Sequence, residues 1–360
     1  MRRIVQLIVA IVFVGFGAAI ALTRFAPLQD WIVHRMASQV FRGTRAELFG
    51  EDALRALACG TASPVADPKR ASACVAVFAG GKFYVVDTGL GSWKNMALWR
   101  IPGDRIGGLF YTHFHSDHIG ELGEWNLQTW GAGRPEALRV YGTKGVERLV
   151  AGFSEAYALD RDYRTAHHGN EVMNPRKGLM QAMPFTVDPK DPAGLVILEE
   201  NGLTVRAFLV DHAPIEPAVG YRFDYKGRSV VVSGDTVPSP SLVAASKGAD
   251  VLFHEAQANF LVAILQEEAA AAGSKQYSRI LGDIPTYHTS PVDAAKIAND
   301  AGVGLLVLYH LTPPPLNPLV ERIFTRGVSD VRSQGVEVSR DGFLVTLPAG
   351  SKEIDTSHVD

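Results

Sequence analysis

The sequence has little of three features that mark particular classes of protein. Only two of its 360 residues are cysteine, Cys59 and Cys74, so a framework of several disulfides is excluded. Lysine and arginine do not run in blocks and the formal net charge is −3, so the chain shows no electrostatic footprint for a polyanionic nucleic acid. No internal repeat is visible, which argues against an array of small units.

The composition is that of a chain able to bury a full hydrophobic core. Apolar residues make up 47% of the sequence and charged residues 20%. One large domain is the default for such a chain, because layered α/β domains commonly exceed about 200 residues. Short β-rich runs begin at Ala53 and alternate with helical candidates, which predicts a layered α/β fold.

The N-terminus carries a long apolar run. Two arginines follow the initial methionine, and the uncharged stretch Ile4–Leu22 comes next. At about 1.5 Å per residue it nearly spans a hydrocarbon core of roughly 30 Å. Residues 1–22 are therefore predicted to form a transmembrane anchor, or a signal segment cleaved near Ala19-Ile20-Ala21. Because basic flanks stay in the cytoplasm, we expect the rest of the chain on the periplasmic side of a bacterial inner membrane, or secreted after cleavage.

The remainder of the chain divides into three parts. Residues 23–52 mix apolar and charged positions at near-helical spacing, which predicts a juxtamembrane helix or linker. Residues 53–349 are the predicted domain, and the polar residues 350–360 are predicted to be a flexible tail. Within the domain, the stretch from Arg161 to Leu195 shows no sustained period and predicts a long loop.

The two cysteines leave two interpretations open. Cys59 and Cys74 lie in segments that are predicted to be neighbouring strands, and in an exported compartment such a pair can form a disulfide. The alternative is two buried free thiols, because bridge geometry cannot be read from sequence. Neither cysteine is near the histidine cluster described next, so neither is expected to bind a metal.

A dense group of metal-binding residue types follows the apolar run Ile106–Tyr111. It contains His113, His115, Asp117 and His118 within six residues. Loops at the carboxyl ends of strands collect ligands in α/β sheets. Imidazole nitrogens and a carboxylate oxygen suit zinc or a similar divalent ion. Alternate residues in an extended turn project to opposite sides. We therefore expect His113 and His115 to face one ion and Asp117 and His118 to face a second.

This His-x-His-x-Asp-His pattern resembles the signature of the metallo-β-lactamase superfamily, whose fold is a four-layer αβ/βα sandwich. Further segments match the family pattern in the expected order: Val86–Gly89, Asp211-His212, Gly220–Arg222, Ser233–Thr236 and Tyr309–Leu311. Three more are similar to the ribonuclease Z and arylsulfatase branch: Cys59–Pro64, Phe253–Ala256 and Tyr287–Ser290. The resemblance covers roughly residues 55 to 347 and implies the four-layer sandwich for the predicted domain.

The resemblance also implies a ligand set for two divalent ions. The first ion is expected on His113, His115 and His212, the second on Asp117, His118 and His310, with Asp235 bridging both. Each ion then keeps a position open, and the pair is expected to share a hydroxide that attacks the substrate. Zinc is the expected metal, with manganese or iron as alternatives, because histidine and carboxylate sites accept all three.

Three residues are predicted to be catalytic, namely Asp117, His288 and Glu255. In the resembling branch the histidine matched by His288 protonates the leaving oxygen. Glu255 is expected to orient it through the far ring nitrogen, as carboxylates commonly do for functional histidines. The alternative for this pair is a structural role next to the metal ligands.

The substrate is predicted from what the chain lacks relative to this branch. Members that process transfer RNA carry a long arm between the strands matched here by Gly220–Arg222 and Ser233–Thr236, whereas this chain has only Phe223–Val232 there. We therefore expect a small ester, an aryl sulfate or phosphodiester, and no nucleic acid. A lactonase or carboxylic esterase is the alternative. A ribonuclease Z-type endonuclease and a non-catalytic metal-binding membrane protein are the remaining hypotheses.

Removal of residues 1–22 is expected to release a soluble protein that keeps its activity, because the predicted chemistry lies entirely within residues 53–349. Activity per bound metal is compared between the full chain in detergent and the truncated chain in buffer. If activity disappears with the segment, the segment has a role beyond attachment to the membrane.

Overall fold

The computed structural model describes residues 22–191 and 193–360. The predicted membrane segment therefore lies, apart from Leu22, outside the described residues. Across the two described ranges, no helix combines the length and the apolar character that a membrane crossing requires. The segment predicted as a juxtamembrane helix or linker contains helix α1 (Ala26–Arg42) and the turn Ala46–Phe49. Helix α1 belongs to a unit that ends at Arg45, and the second unit, residues 46–360, carries the strands and the site described below.

The second unit contains fifteen strands among the described residues. The strands are β1 Ala53–Gly60, β2 Cys74–Ala79, β3 Lys82–Val86, β4 Ile106–Phe110, β5 Leu138–Gly142, β6 Met180–Pro184, β7 Leu195–Glu200, β8 Leu203–Val210, β9 Ala218–Tyr225, β10 Arg228–Val232, β11 Val251–Gln257, β12 Leu305–Thr312, β13 Val336–Val338, β14 Phe343–Pro348 and β15 Asp355–His358. They form two sheets, in the orders β15-β14-β1-β2-β3-β4-β5-β6 and β13-β12-β11-β10-β9-β8-β7.

The first helix precedes β1, and the other helices lie between these strands in the sequence. They are α1 Ala26–Arg42, α2 Ser92–Leu98, α3 Ser116–Ile119, α4 Leu122–Gly131, α5 Val146–Ala156, α6 Ala158–His168, α7 Pro240–Ala245, α8 Asn259–Ala271, α9 Lys275–Asp283, α10 Pro291–Asp300, α11 Pro318–Phe324 and α12 Val328–Val331. Single 3₁₀ turns occur at Ala46–Phe49, Gly103–Arg105 and Ile284–Thr286. Helix α10 begins with a capping residue, since the Ser290 hydroxyl accepts from the Asp293 amide and a proline occupies the first helical position.

The two sheets pack face to face, and helices cover their outer faces. Apolar side chains of both inner faces share one cluster, in which the Phe110 ring lies 5.5 Å from that of Tyr221 and 5.8 Å from that of Phe223. A second cluster joins the other face of the first sheet to α4, and a third joins the second sheet to α7 and α10. The predicted four-layer αβ/βα sandwich is confirmed.

One half of each sheet is parallel, and this determines where the site lies. Strands β3 to β6 run parallel in the first sheet, and β10 to β13 run parallel in the second. Parallel strands carry their carboxyl ends to one edge. The loops that follow β3, β4, β10, β11 and β12 therefore meet at one end of the sandwich.

Three boundaries differ from those predicted. The domain begins near Ala46 rather than at residue 53, because the turn Ala46–Phe49 packs Phe49 against Phe78 with a ring distance of 5.3 Å. The predicted flexible tail contains β15, which pairs with β14 along the edge of the first sheet. The predicted long loop contains most of α6 and the whole of β6, so it includes regular structure that its weak sequence period does not indicate.

Cys59 and Cys74 form a disulfide. The two residues stand at the facing ends of the antiparallel strands β1 and β2, with their Cα atoms 4.9 Å apart. Both are fully buried. Strand pairing thus decides between the two interpretations that the sequence left open, because it places the two side chains within bridging distance.

Candidate metal centre

The loop after β4 carries the first four predicted ligands. It turns immediately after Tyr111, and Thr112 fixes the turn: its amide and hydroxyl each donate to the carboxylate of Asp87, at 2.9 Å. Asp87 ends β3 with a left-handed backbone, φ 61°, a conformation that aspartate tolerates better than most side chains. The chain then passes through His113 and His115 and enters the short helix α3.

The first cluster joins the β4 loop to the segments after β8 and β10. His113, His115, His212 and Asp235 each offer a ligand atom, and these atoms lie within 4.8 Å of one another. Nε2 of His113 is 3.0 Å from Nδ1 of His115. This convergence matches the set that the resemblance implied for the first ion, with the predicted bridging carboxylate included.

The second cluster joins α3 to the bend in β12. Asp117, His118 and His310 again place their ligand atoms within 4.8 Å of one another. Oδ2 of Asp117 is 3.1 Å from Nε2 of His310 and 3.5 Å from Nε2 of His118. His310 has a left-handed backbone, φ 45°, and the amide of Leu311 donates to the Thr61 carbonyl at 2.9 Å, which holds this bend in place.

Asp235 lies between the two clusters. Its Oδ2 is 3.4 Å from Nε2 of His118 and 3.5 Å from Nε2 of His310. The same oxygen is 3.9 Å from Nε2 of His113 and 4.0 Å from Nε2 of His212. One carboxylate oxygen thus faces four imidazole nitrogens, which is the position that a ligand shared by two ions requires.

The chemistry of these donors fits bound metal ions. Nε2 of His118, Nε2 of His212 and Oδ1 of Asp235 are buried and have no hydrogen bond among the described residues. An unsatisfied buried polar atom costs roughly 1 to 3 kcal/mol, so three such atoms within the two clusters indicate a missing partner. Nitrogen and carboxylate oxygen ligands in two groups of three or four suit zinc or a related divalent ion.

The protonation states support the same conclusion for the first cluster. Burial lowers the pKa of His113, His115 and His212, so each imidazole is neutral and has a free lone pair. Burial would raise the pKa of Asp235, but the charges of His310 and His118 hold it well below the usual range. A neutral imidazole and an ionised carboxylate are the forms that bind a metal.

His118 differs from the other histidines. Burial would lower its pKa, but the carboxylates of Asp235, Asp117 and Asp87 outweigh burial and raise the pKa well above the usual value. Its Nδ1 is 2.8 Å from Oδ2 of Asp87. Asp87 therefore fixes the orientation of the ring and leaves Nε2 directed at the second cluster. A divalent ion at Nε2 would replace the proton that the carboxylates otherwise hold there.

Sequence reasoning missed Asp87 as a functional residue. The segment Val86–Gly89 matched a family strand end, but no role was assigned to its carboxylate. The available signal was an aspartate at the end of a buried strand, where it has to find a partner because it is almost fully buried. The ring of His212 is oriented by the main chain and not by a carboxylate, since its Nδ1 lies 2.9 Å from the carbonyl oxygen of Tyr287.

The predicted catalytic pair is adjacent to both clusters. Nδ1 of His288 is 3.2 Å from Oε1 of Glu255, which also accepts from the amides of Thr289 at 2.8 Å and Thr236 at 3.3 Å. Nδ1 or Nε2 of His288 lies within 4.8 Å of ligand atoms of Asp235 and His310. Burial would lower the pKa of His288, but the charge of Glu255 outweighs it and raises the pKa to about 9.

Histidines outside the site clusters include His254, His167 and His168. His254 is fully buried in β11 and its Nδ1 lies 2.6 Å from the carbonyl of Glu255, which agrees with a packing role. His167 and His168 are exposed at the end of α6. All seven predicted metal ligands and the His288–Glu255 pair, by contrast, occupy one end of the sandwich.

A layered sandwich with two Asp/His clusters that share a carboxylate defines a class of metal-dependent hydrolases. The model of the metallo-beta-lactamase superfamily matches residues 67–272, and the chain belongs to that superfamily. It is therefore a metal-dependent hydrolase that acts on ester bonds, as the sequence predicted.

Proteins that are similar to this chain in sequence are named ribonuclease Z. The protein of Mycobacterium avium is 35% identical over 257 residues, which cover 71% of this chain and 84% of the relative. The protein of Mycobacterium marinum is 33% identical over the same length, covering 71% and 85%. The predicted resemblance to the ribonuclease Z branch is confirmed.

Solved structures show the same fold at lower identity. The short form of human tRNase Z is 19% identical, covers 82% of this chain and 99% of its own, and superposes with a TM-score of 0.58. The metallo-beta-lactamase fold protein YhfI of Bacillus subtilis has the same identity and coverage with a TM-score of 0.56. The expectation that no nucleic acid is a partner was wrong, because relatives that share a third of the sequence are named as ribonucleases.

Substitution of Asp87 by asparagine is expected to lower metal affinity by roughly 10- to 100-fold, because the His118 ring loses the ionised acceptor that fixes its orientation. Affinity is measured by competition with a chromophoric chelator. Asp104→Asn, at an exposed carboxylate, is the matched control. An unchanged affinity in Asp87→Asn, with the fold intact by circular dichroism, would show that the ring is held by other contacts.

Proposed function

We propose that this chain is a binuclear phosphodiesterase whose substrate class is RNA. The observation that carries the proposal is the position of Asp235, whose Oδ2 lies between two clusters of metal-binding side chains. The relatives named as ribonuclease Z support the phosphodiester and the RNA, since the aligned part covers 84% of the M. avium protein.

Each cluster is assigned one ion in this proposal. His113, His115 and His212 would hold the first, Asp117, His118 and His310 would hold the second, and the Asp235 carboxylate would serve both. Zinc is the first choice, with manganese or iron as alternatives. When bound, the two ions activate a water as the nucleophile and neutralise the charge that develops on the phosphoryl oxygens.

The chain's own residues supply the remaining steps. Asp117 and Asp235 are buried carboxylates, and their negative charges determine where the cations would bind. His288 stands at the edge of the second cluster with Nδ1 turned to Glu255, so Nε2 is left to carry a proton toward the leaving oxygen. Glu255 is itself held by two main-chain amides, which prevents it from turning toward the metal-binding histidines. This arrangement is that of a positioned general acid.

A second candidate function is supported by one feature of the second sheet. Strands β9 and β10 are joined by Lys226 and Gly227 alone, so no long arm is inserted between these two strands. A protein without such an arm offers less surface to a large RNA, and the site is then open to small aryl phosphodiesters or sulfate esters. The same metal-binding residues serve both candidates.

The proposed location is a membrane-anchored protein with its site on the exported side. The apolar stretch Ile4–Leu22 after two arginines supports an anchor or signal segment. The disulfide between Cys59 and Cys74 supports an oxidising compartment, because such bonds persist mainly outside the cytosol.

The proposed function is tested with metal-analysed protein and four substrates in parallel: a transfer-RNA precursor, bis-p-nitrophenyl phosphate, p-nitrophenyl sulfate and p-nitrophenyl acetate. We expect hydrolysis of the RNA and of the phosphodiester, because two adjacent dications favour a doubly coordinated anionic centre. Asp235→Ala is the control, and it is expected to lose metal and turnover together.

The other outcomes separate the alternatives. Turnover of the small phosphodiester or sulfate without cleavage of RNA favours the second candidate. Preference for the acetate ester contradicts a phosphodiesterase and moves the chain to the esterases and lactonases. Two bound ions without turnover of any substrate revive the non-catalytic alternative.

Replacement of His288 by alanine is expected to keep both metals and to lower kcat by roughly 10²- to 10⁴-fold, since the leaving oxygen loses its proton donor. The loss is expected to be larger for RNA, whose leaving alkoxide is a poor leaving group, than for a nitrophenyl ester. His167→Ala, at an exposed histidine, is the matched control. Full activity in His288→Ala would contradict the assignment, and so would equal losses on both kinds of substrate.

A further inference from the structure

The segment between α9 and α10 carries a tyrosine that the proposed chemistry does not use. Tyr287 follows the turn Ile284–Thr286, where the helical hairpin of α8 and α9 returns to the site, and it directly precedes His288. Its carbonyl is 2.9 Å from Nδ1 of His212. The main chain of Tyr287 is therefore fixed against a residue of the first cluster.

The ring of Tyr287 lies between two residues of the site. Its centroid is 5.0 Å from that of His212, with the planes nearly perpendicular at 78°. It is 4.8 Å from the His288 ring, inclined at 48°. A ring that contacts both the first cluster and the proposed acid borders the space where a scissile group has to sit. The side chain is only half-buried, so part of it is accessible to solvent.

The hydroxyl of Tyr287 has no hydrogen-bond partner among the described residues. Partly buried tyrosines usually direct this group at a partner. A phenol is protonated at neutral pH and then acts as a donor to an anionic oxygen.

We propose that Tyr287 is a substrate-contacting residue whose hydroxyl donates a hydrogen bond to a nonbridging oxygen of the scissile anionic group, a phosphodiester or sulfate ester. This inference rests on the proposed function. His288 serves the leaving oxygen, so a donor beside it meets one of the oxygens that stay on phosphorus or sulfur. These oxygens carry negative charge throughout the reaction, which makes the tyrosine a determinant of specificity for anionic tetrahedral esters over neutral carboxylic esters.

The substitution Tyr287→Phe tests the role of the hydroxyl alone. The ring and its contacts with His212 and His288 remain, and so does the main-chain carbonyl that holds His212. We expect kcat/KM for the phosphodiester to fall by roughly 10- to 100-fold, which corresponds to loss of one hydrogen bond to a charged group. The metal content and the melting temperature are expected to match those of the wild type.

A second measurement does not depend on turnover. Inorganic phosphate is titrated into the metal-loaded protein by calorimetry, and we expect Tyr287→Phe to weaken its binding by a factor similar to the loss in kcat/KM. Tyr277→Phe is the matched control, because Tyr277 lies on α9 and is 69% exposed. It is expected to leave both values unchanged.

Two results would overturn the role of Tyr287. Phosphate binding and kcat/KM within about twofold of the wild type would show that the hydroxyl does not reach the substrate. Loss of metal from Tyr287→Phe would show that the residue acts through His212 instead. A wild type that hydrolyses none of the substrates contradicts the proposed function alone, and the phosphate titration then decides the role of Tyr287 by itself.

Discussion

The structure depends on one buried carboxylate. Asp235 is 2% exposed and lies among four imidazoles, away from water that could solvate its charge. A buried charge is tolerated only when cations or hydrogen bonds compensate it, and one oxygen of Asp235 has no hydrogen bond among the described residues. Two bound dications would meet this requirement. The surrounding histidines are placed where both ions would contact the same carboxylate.

The two sheets make this arrangement possible because their parallel strands end together. The β4 loop brings four residues from the first sheet, whereas His212, Asp235 and His310 come from the second. The backbone has left-handed φ values at Asp87 and His310, and each is held by hydrogen bonds to neighbouring segments. Such conformations cost free energy, and they occur where a side chain has to be directed into a site.

The correction on nucleic acid shows a limit of arguments from charge. The net charge of −3 is a sum over the whole chain, whereas binding of RNA depends on the electrostatic potential near the site. Metal ions bound at the site would add positive charge that a count of charged residues leaves out. Sequence similarity to proteins named ribonuclease Z is therefore stronger evidence about a nucleic-acid partner than the net charge is. The short β9–β10 connection is a separate, local observation, and it keeps small diesters and sulfate esters beside RNA as candidate substrates in the proposal.

The sequence by itself determined the layered α/β class, the loop His113–His118 after a buried strand and the ligand types that suit a divalent ion, because strand periodicity and ligand chemistry are local properties. His212, Asp235 and His310 were added only through the family resemblance. Only the tertiary structure decided the role of Asp87, the place of the Tyr287 ring, the disulfide and the edge strand β15. Each of these depends on which distant segments become neighbours when the strands pair and the sheets pack, and spacing along the chain does not contain that information.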